Sequence, residues 1–266
     1  MTSTPGPHTA SHAHDARQAV AAVAPREPLL VALDFDGVCA PLVDDPADSR
    51  MLPGTRRALQ GLAAAGVHVA LVSGRGLASL REVARPEPGW LLVGGHGAEP
   101  GDGDGVVLGG EAQELLDRLA RELGSVVEEH PGAAVEHKPS SVVLHVRRAP
   151  GEHGAAATDR VLTGAATWSG VHVKRGHDVV ELAVLEADKG RALTTLRQQT
   201  GASSVLYVGD DVTDEDAFAV LDADGGDVGV KVGPGDTAAT HRVGTPQDVT
   251  DLLQALLDAR HAVRDG

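Results

Sequence analysis

A single cysteine, Cys39, occurs in 266 residues. Neither a disulfide framework within the chain nor a cysteine-rich zinc site can be built from it. Aromatic residues make up 2% of the chain, too few for the stacking platforms that hold unpaired bases. Basic residues are also scarce, with 23 Lys+Arg against 38 Asp+Glu and a formal net charge of −15. Such an acidic balance argues against nucleic acid or an anionic membrane as partner. No apolar run approaches the length of a membrane span. The N-terminus lacks a basic segment followed by an apolar one, so no secretory signal is visible and the expected location is the cytoplasm. What is present is a globular composition, 42% hydrophobic and 23% charged, in a length that allows one large domain or two modest ones. The acidity imposes a condition: an anionic substrate needs a local positive group or a metal ion.

Residues 1–27 read as a disordered tail containing Pro5, Pro7, Pro25 and many alanines. Its histidines, His8, His12 and His14, match no metal-binding spacing and read as solvated. From residue 29 a pattern of short apolar runs and helical segments begins. Runs at 29–33, 67–72 and 90–93 have the continuous apolar character of strands buried on both faces. Between the first two, 53–65 reads as a helix with Pro53 near its start and Gly66 as its stop. Such alternation predicts an α/β fold, a Rossmann-like parallel sheet with helices on both faces.

The pattern changes over 101–185. A glycine-rich linker (101–110) is followed by a helix (111–123), strands at 125–129 and 141–147, a helix (152–162), and strands at 171–174 and 179–185. His145 and Arg147 fall on one face of the second strand. This reads as an inserted α+β domain. The alternation then returns, with helices at 188–199, 213–221 and 247–260 and strands at 205–208 and 228–232. The expected domains are thus a core from 28–100 and 186–266, and an insert at 101–185.

Chemistry-bearing residues fall at the ends of these predicted strands. Asp34 and Asp36 follow the first strand in Asp-Phe-Asp-Gly-Val. Two residues apart, they share a face, and ligands of open α/β sheets bind beyond the carboxyl ends of the strands. Paired carboxylates repel, which a divalent cation or a retained proton relieves. Ser73-Gly74-Arg75 ends the second strand and offers a hydroxyl and backbone N–H groups as an oxyanion cradle. Lys189 opens a helix. Gly209-Asp210-Asp211-Val212-Thr213-Asp214-Glu215 follows a later strand. Part of that charge suits a helix N-terminus, but Asp210 and Asp211 precede the helix, a placement suited to Mg²⁺.

Taken in order, these segments resemble the haloacid dehalogenase-type phosphatases, and among them the trehalose-6-phosphate phosphatases. The resemblance covers about residues 29–262. Supporting segments are Gly95-His96-Gly97-Ala98-Glu99, Glu136-His137-Lys138, His145-Val146-Arg147, Glu181 ahead of Lys189-Gly190, and above all the Gly-Asp-Asp-x-Thr-Asp-Glu run. It implies that Asp34 attacks phosphorus and that Asp36 protonates the departing sugar oxygen and later deprotonates water. Mg²⁺ would be held by Asp34, the Asp36 carbonyl and Asp210, with Asp211 and Asp214 behind them. Ser73 and Lys189 would hold phosphoryl oxygens, with Gly74 and Arg75 beside the substrate. The insert becomes a cap, whose Glu136, Lys138 and Glu181 would recognise the sugar. The implied partner is a small-molecule sugar phosphate, with a trehalose-6-phosphate synthase in the same pathway.

The chain departs from the family pattern in places. Val38 and Cys39 stand where Thr and Leu are usual, and Ala183 and Val184 where many members have Arg and Pro. Phosphatases of sucrose phosphate or of a glycosyl-glycerate phosphate are the neighbouring readings, and a non-catalytic sugar-phosphate-binding domain is the reading of another class. The presence of Asp34, Asp36, Ser73, Lys189 and Asp210 together favours an enzyme.

Overall fold

Leu29–Leu33 (β1) is buried at every position because it runs through the middle of a sheet with packed layers on both sides. Its odd residues Leu29, Val31 and Leu33 enter one apolar cluster, and Leu30 and Ala32 enter another, as the two-residue period of a strand requires. In the computed structural model, residues 7–101, 108–176, 178–185 and 188–265 are described. These residues form two compact units, one from 7–101 and 188–265 and the other from 108–176 and 178–185.

The larger unit has a seven-stranded sheet. In chain order its strands are β1, β2 (His68–Val72), β3 (Leu91–Gly94), β4 (Glu99–Pro100), β9 (Ser204–Gly209), β10 (Val228–Val232) and β11 (His241–Val243). The spatial order is β11-β10-β9-β1-β2-β3-β4. All neighbours are parallel except β3 and β4. Helices α1 (Pro7–Ala22), α2 (Pro53–Ala64), α3 (Leu77–Ala84) and α8 (Pro246–Asp265) serve one face. Helices α6 (Lys189–Thr200) and α7 (Glu215–Ala219) cover the other. The parallel α/β architecture read from the sequence is present.

The supposed tail is a correction. α1 occupies much of it, and Ala16, Val20, Val23 and Ala24 are buried in the same cluster as Leu253 and Leu256 of α8. Alanine is the strongest helix former, and Ala16 and Val20, four apart, lie on one side of the helix. The exit from α1 is fixed by Arg260 of α8, which is 2% exposed. Its guanidinium donates to the carbonyls of Ala24 (2.5 Å) and Arg26 (2.9 Å) and to the Glu27 carboxylate (2.8 Å). His14, exposed, pairs with Gln18.

The smaller unit is an antiparallel sheet of β5 (Ala134–Lys138), β6 (Ser141–His145), β7 (His172–Gly176) and β8 (Val179–Ala183), in the order β5-β6-β8-β7. Helices α4 (Gly110–Glu129) and α5 (Gly151–Thr163) pack on the face carrying Val142, Leu144, Val180 and Leu182. By alternation, Glu136, Lys138, Ser141 and Glu181 belong to the opposite face, with Lys138 opposite Ser141 and Glu181 opposite Val143.

Three further expectations change. The strand expected at 125–129 is the last part of α4, since Leu119, Leu123 and Val126 bury one helical face and the break comes only at Pro131-Gly132. Arg147 lies in a turn beyond β6, so it does not share a strand face with His145. The helix expected from Thr213 is instead a 3₁₀ turn, Val212–Asp214, followed by α7. Most of the expected 101–110 linker lies outside the described residues. Among the described residues no helix is long and apolar enough to cross a membrane.

Candidate active site

Three neighbouring parallel strands end in polar residues on the same side of the sheet: β1 leads to Asp34, β2 to Ser73 and β9 to Asp210. They line a cleft of about 590 Å³ together with Asp36, Gly74, Arg75, Ser79, His96, Asp211 and Thr213, and with Leu42, Val43 and Pro46 along one side.

Beneath the cleft lies a chain of buried charge. Lys189, 1% exposed, donates to Asp34 Oδ2 at 2.6 Å and to Asp214 Oδ1 at 2.7 Å. Asp214, fully buried, also accepts the Tyr207 hydroxyl at 2.7 Å and the backbone N–H groups of Asp210 and Asp211, each at 2.9 Å. Two carboxylates thus share one ammonium, a net negative group in a low-dielectric setting. Burial pushes the Asp34 carboxyl up to about 7 against the pull of Lys189, with Asp214 adding to the rise. Burial opposes the Lys189 charge, but Asp34 and Asp214 outweigh it and hold its pKa above the ordinary lysine value. That surplus of negative charge disfavours the ionised form of Asp34, beside the cleft.

Asp210 adds to that surplus. Burial pushes its carboxyl up to about 6, and Asp214 adds to the rise. Carboxylate oxygens of Asp34, Asp210 and Asp214 lie within 4.8 Å of one another. Both oxygens of Asp214 already take two donors each, so Asp34 and Asp210 are the pair with capacity for a cation. Two oxygen donors with raised pKa values, facing a cleft large enough for water, fit a hard divalent ion such as Mg²⁺. The Asp210–Asp211 backbone is held by Lys231, whose ammonium donates to both carbonyls at 2.7 and 3.1 Å. Asp211 caps the 3₁₀ turn, accepting from the Val212 N–H at 2.7 Å, and so acts on the backbone that carries Asp210.

Asp36 has a different environment. Its carboxylate takes Arg75 Nε on Oδ2 at 2.5 Å, Arg75 Nη2 on Oδ1 at 2.8 Å and the Ser49 hydroxyl on Oδ1 at 2.8 Å. Arg75, expected beside the substrate, is thus a bidentate partner of Asp36 here. Ser73 is buried, and its Oγ accepts the Arg75 backbone N–H at 3.2 Å. Cys39 is fully buried, and burial pushes its thiol well up, helped by Asp34 and Asp36. It is an inert packing residue.

The expected sugar-recognition residues belong to the smaller unit. Glu181 accepts the Ser141 hydroxyl at 2.5 Å and the Lys138 ammonium at 3.2 Å. Burial works to raise the Glu181 pKa, yet Ser141 and the Lys138 and Lys174 charges hold it below the ordinary range. Glu136 pairs with His145 at 2.8 Å.

Sequence reasoning singled out Asp34, Asp36, Ser73, Gly74, Arg75, Asp210 and Asp211, which line one cleft, and Lys189, beneath it. It missed Ser49, Tyr207 and Lys231, and gave His96 no role of its own. Lys231 had a visible signal, a lysine inside the otherwise apolar 228–232 run. Ser49 had none.

The family model for trehalose-phosphatase matches residues 32–246, a span that includes every one of these cleft residues. The chain belongs to the trehalose-phosphatase family. The trehalose-6-phosphate phosphatase of Escherichia coli K12 is 31% identical over 239 residues, covering 87% of this chain and 88% of that protein. A longer Mycobacterium tuberculosis protein, named an uncharacterized glycosyl hydrolase, is 35% identical over 254 residues, covering 88% of this chain but 19% of its own length. Among solved structures, the trehalose-6-phosphate phosphatase of Aspergillus fumigatus superposes with a TM-score of 0.68 at 26% identity, over 91% of this chain and 97% of that one. As a member of the trehalose-phosphatase family, the protein is a phosphoric monoester hydrolase.

Proposed function

We propose that the enzyme hydrolyses trehalose 6-phosphate to trehalose and phosphate through an aspartyl-phosphate on Asp34. The observation that supports this most is the placement of Asp34, held by Lys189 from below at 2.6 Å while it lines the cleft above. A carboxylate so oriented is a nucleophile that splits the hydrolysis into two steps. An Asp34 oxygen forms a bond to phosphorus as the phosphorus–sugar oxygen bond breaks, and Asp36 gives a proton to the departing oxygen. Water then attacks the aspartyl-phosphate, with Asp36 receiving the proton and Asp34 released. Ser73 and Lys189 hold phosphoryl oxygens, where donors stabilise the charge that develops. Mg²⁺, held by the Asp34 and Asp210 carboxylates and the Asp36 carbonyl, would supply positive charge against the phosphoryl oxygens when bound.

Those groups act on phosphate and cannot distinguish one sugar from another. We assign that selection to Glu136, Lys138 and Glu181 of the smaller unit, in the role of a cap, whose carboxylates and ammonium can accept from and donate to sugar hydroxyls. The reaction closes trehalose biosynthesis, so a trehalose-6-phosphate synthase is the enzyme that supplies the substrate.

Phosphate release from a panel of sugar phosphates, with EDTA and with Mg²⁺ restored, tests this reading. Trehalose 6-phosphate should be preferred, and activity should follow Mg²⁺. Asp34→Asn should fall to background while retaining its circular dichroism spectrum. Preference for sucrose phosphate or a glycosyl-glycerate phosphate would reassign the substrate, and substantial turnover by folded Asp34→Asn would overturn the covalent step.

A further inference from the structure

Asp36 is held by two partners placed differently with respect to the cleft. Ser49 is fully buried and does not line the cleft. Its backbone is fixed on both sides, the N–H donating to the Pro46 carbonyl at 3.4 Å and the carbonyl accepting from Arg50 Nη1 at 2.7 Å. Its hydroxyl sits 2.8 Å from Asp36 Oδ1. Arg75 lines the cleft on a long side chain, so an incoming phosphoryl group can compete for its guanidinium. That group cannot compete for Ser49.

A general acid must present one carboxyl oxygen, with its proton, to the leaving oxygen. With Arg75 on both oxygens of Asp36 neither is available. When the guanidinium turns to the substrate, an unsupported Asp36 would be free to rotate about its side-chain bonds. We infer that Ser49 is a positioning residue for Asp36: it keeps Oδ1 fixed as Arg75 leaves, so that Oδ2 carries the proton toward the sugar oxygen. This rests on the reading of Asp36 as the general acid. Ser49 acts through Asp36 and does not touch the reacting atoms.

The consequence is a dependence on the leaving group. Proton donation matters greatly for an alkoxide-like sugar oxygen and little for a nitrophenolate, which departs readily without a proton. The experiment compares kcat/KM, which covers the steps up to phosphoryl transfer, for trehalose 6-phosphate, phenyl phosphate and p-nitrophenyl phosphate. Wild type, Ser49→Ala, Ser49→Thr and Asp36→Asn are measured, with thermal denaturation as the folding check. For Ser49→Ala the loss on trehalose 6-phosphate should be about tenfold larger than on p-nitrophenyl phosphate, with phenyl phosphate between, as expected for a lost hydrogen bond to a charged group. Ser49→Thr, which keeps the hydroxyl, should recover part of the difference. Asp36→Asn should show the same ordering more steeply. If Asp36→Asn is graded by leaving group and Ser49→Ala is uniform or unaffected, the inference on Ser49 is overturned while the general-acid reading stands. If Asp36→Asn itself loses equally on all three, the general-acid reading falls, and the inference with it.

Discussion

Asp210 Oδ2 lies 1.9 Å from the point where a Cβ on Gly37 would stand. Residue 37 also has φ of +75°, a conformation costing a side chain about 1–2 kcal/mol. The turn after Asp36 and the carboxylate after β9 are therefore fitted to each other, and any larger residue at 37 must displace the proposed cation ligand. Gly37→Ala should raise the Mg²⁺ concentration for half-maximal activity at least about tenfold and lower stability by about 1–2 kcal/mol. Mg²⁺ titrations of activity with parallel urea unfolding check this; an unchanged Mg²⁺ requirement would show that Asp210 has room to relocate.

Asp210 also predicts a conflict between stability and function. Its folded pKa, about 6, lies above the ordinary 3.8, so its ionised form disfavours the metal-free fold. The sign follows from linkage: this penalty is absent below about pH 4, grows as pH rises and is complete above about 6. No hydrogen bond to another side chain depends on that carboxylate among those described above. In EDTA, Asp210→Asn should therefore melt higher than wild type at pH 8, with the gap closing toward pH 4, while its Mg²⁺-dependent activity is lost. A variant that melts lower at pH 8 would contradict the assignment of surplus negative charge to this position.

Glu181 holds Ser141 and Lys138 at once. Glu181→Ala removes the shared acceptor and, in the proposed function, a sugar contact. Losing such a partner costs about 1–3 kcal/mol, roughly a tenfold to hundredfold drop in kcat/KM for trehalose 6-phosphate. The drop on p-nitrophenyl phosphate should be much smaller. Equal drops on both substrates would place Glu181 in general catalysis or folding.

Arg260 fastens the segment after α1 through three hydrogen bonds. Arg260→Ala leaves the Ala24 carbonyl without its buried donor, and should lower unfolding free energy by about 1–3 kcal/mol. The kcat of the folded fraction should be unaltered. Hydrogen exchange should show faster amide exchange across 14–27, and unchanged protection there would contradict the fastening role.

The parts of the molecule legible in sequence were those whose cause is local. β1 announces itself by five consecutive apolar residues, and Asp34 by its place after them. The α1 helix was not legible because its buried side is made of small residues, Ala16 with Val20, in a stretch rich in histidine and proline that looks like a solvated tail. The end of α4 was misread because Val126 and Val127 have strand-like side chains, while the helical spacing back to Leu119 and Leu123 decided the outcome. The grip on Asp36 was illegible for another reason. Its donors come from positions 13 and 39 residues away, and nothing local to Ser49 marks it as facing a carboxylate.

The central position of β1 also has a meaning in time. Its two sheet neighbours are β2, which follows shortly, and β9, which comes only after the smaller unit has been made. Lys189, the ammonium under Asp34, is 155 residues downstream of it. At about 5–20 residues per second, the ribosome takes roughly 8–30 s to bridge that gap. For at least that interval the β9-facing edge of β1 is unpaired, and Asp34, the proposed nucleophile, lacks its buried counter-charge. The nascent chain thus exposes a sheet edge of the kind chaperones shield, and its catalytic centre cannot form before Lys189, Asp210 and Asp214 have been made.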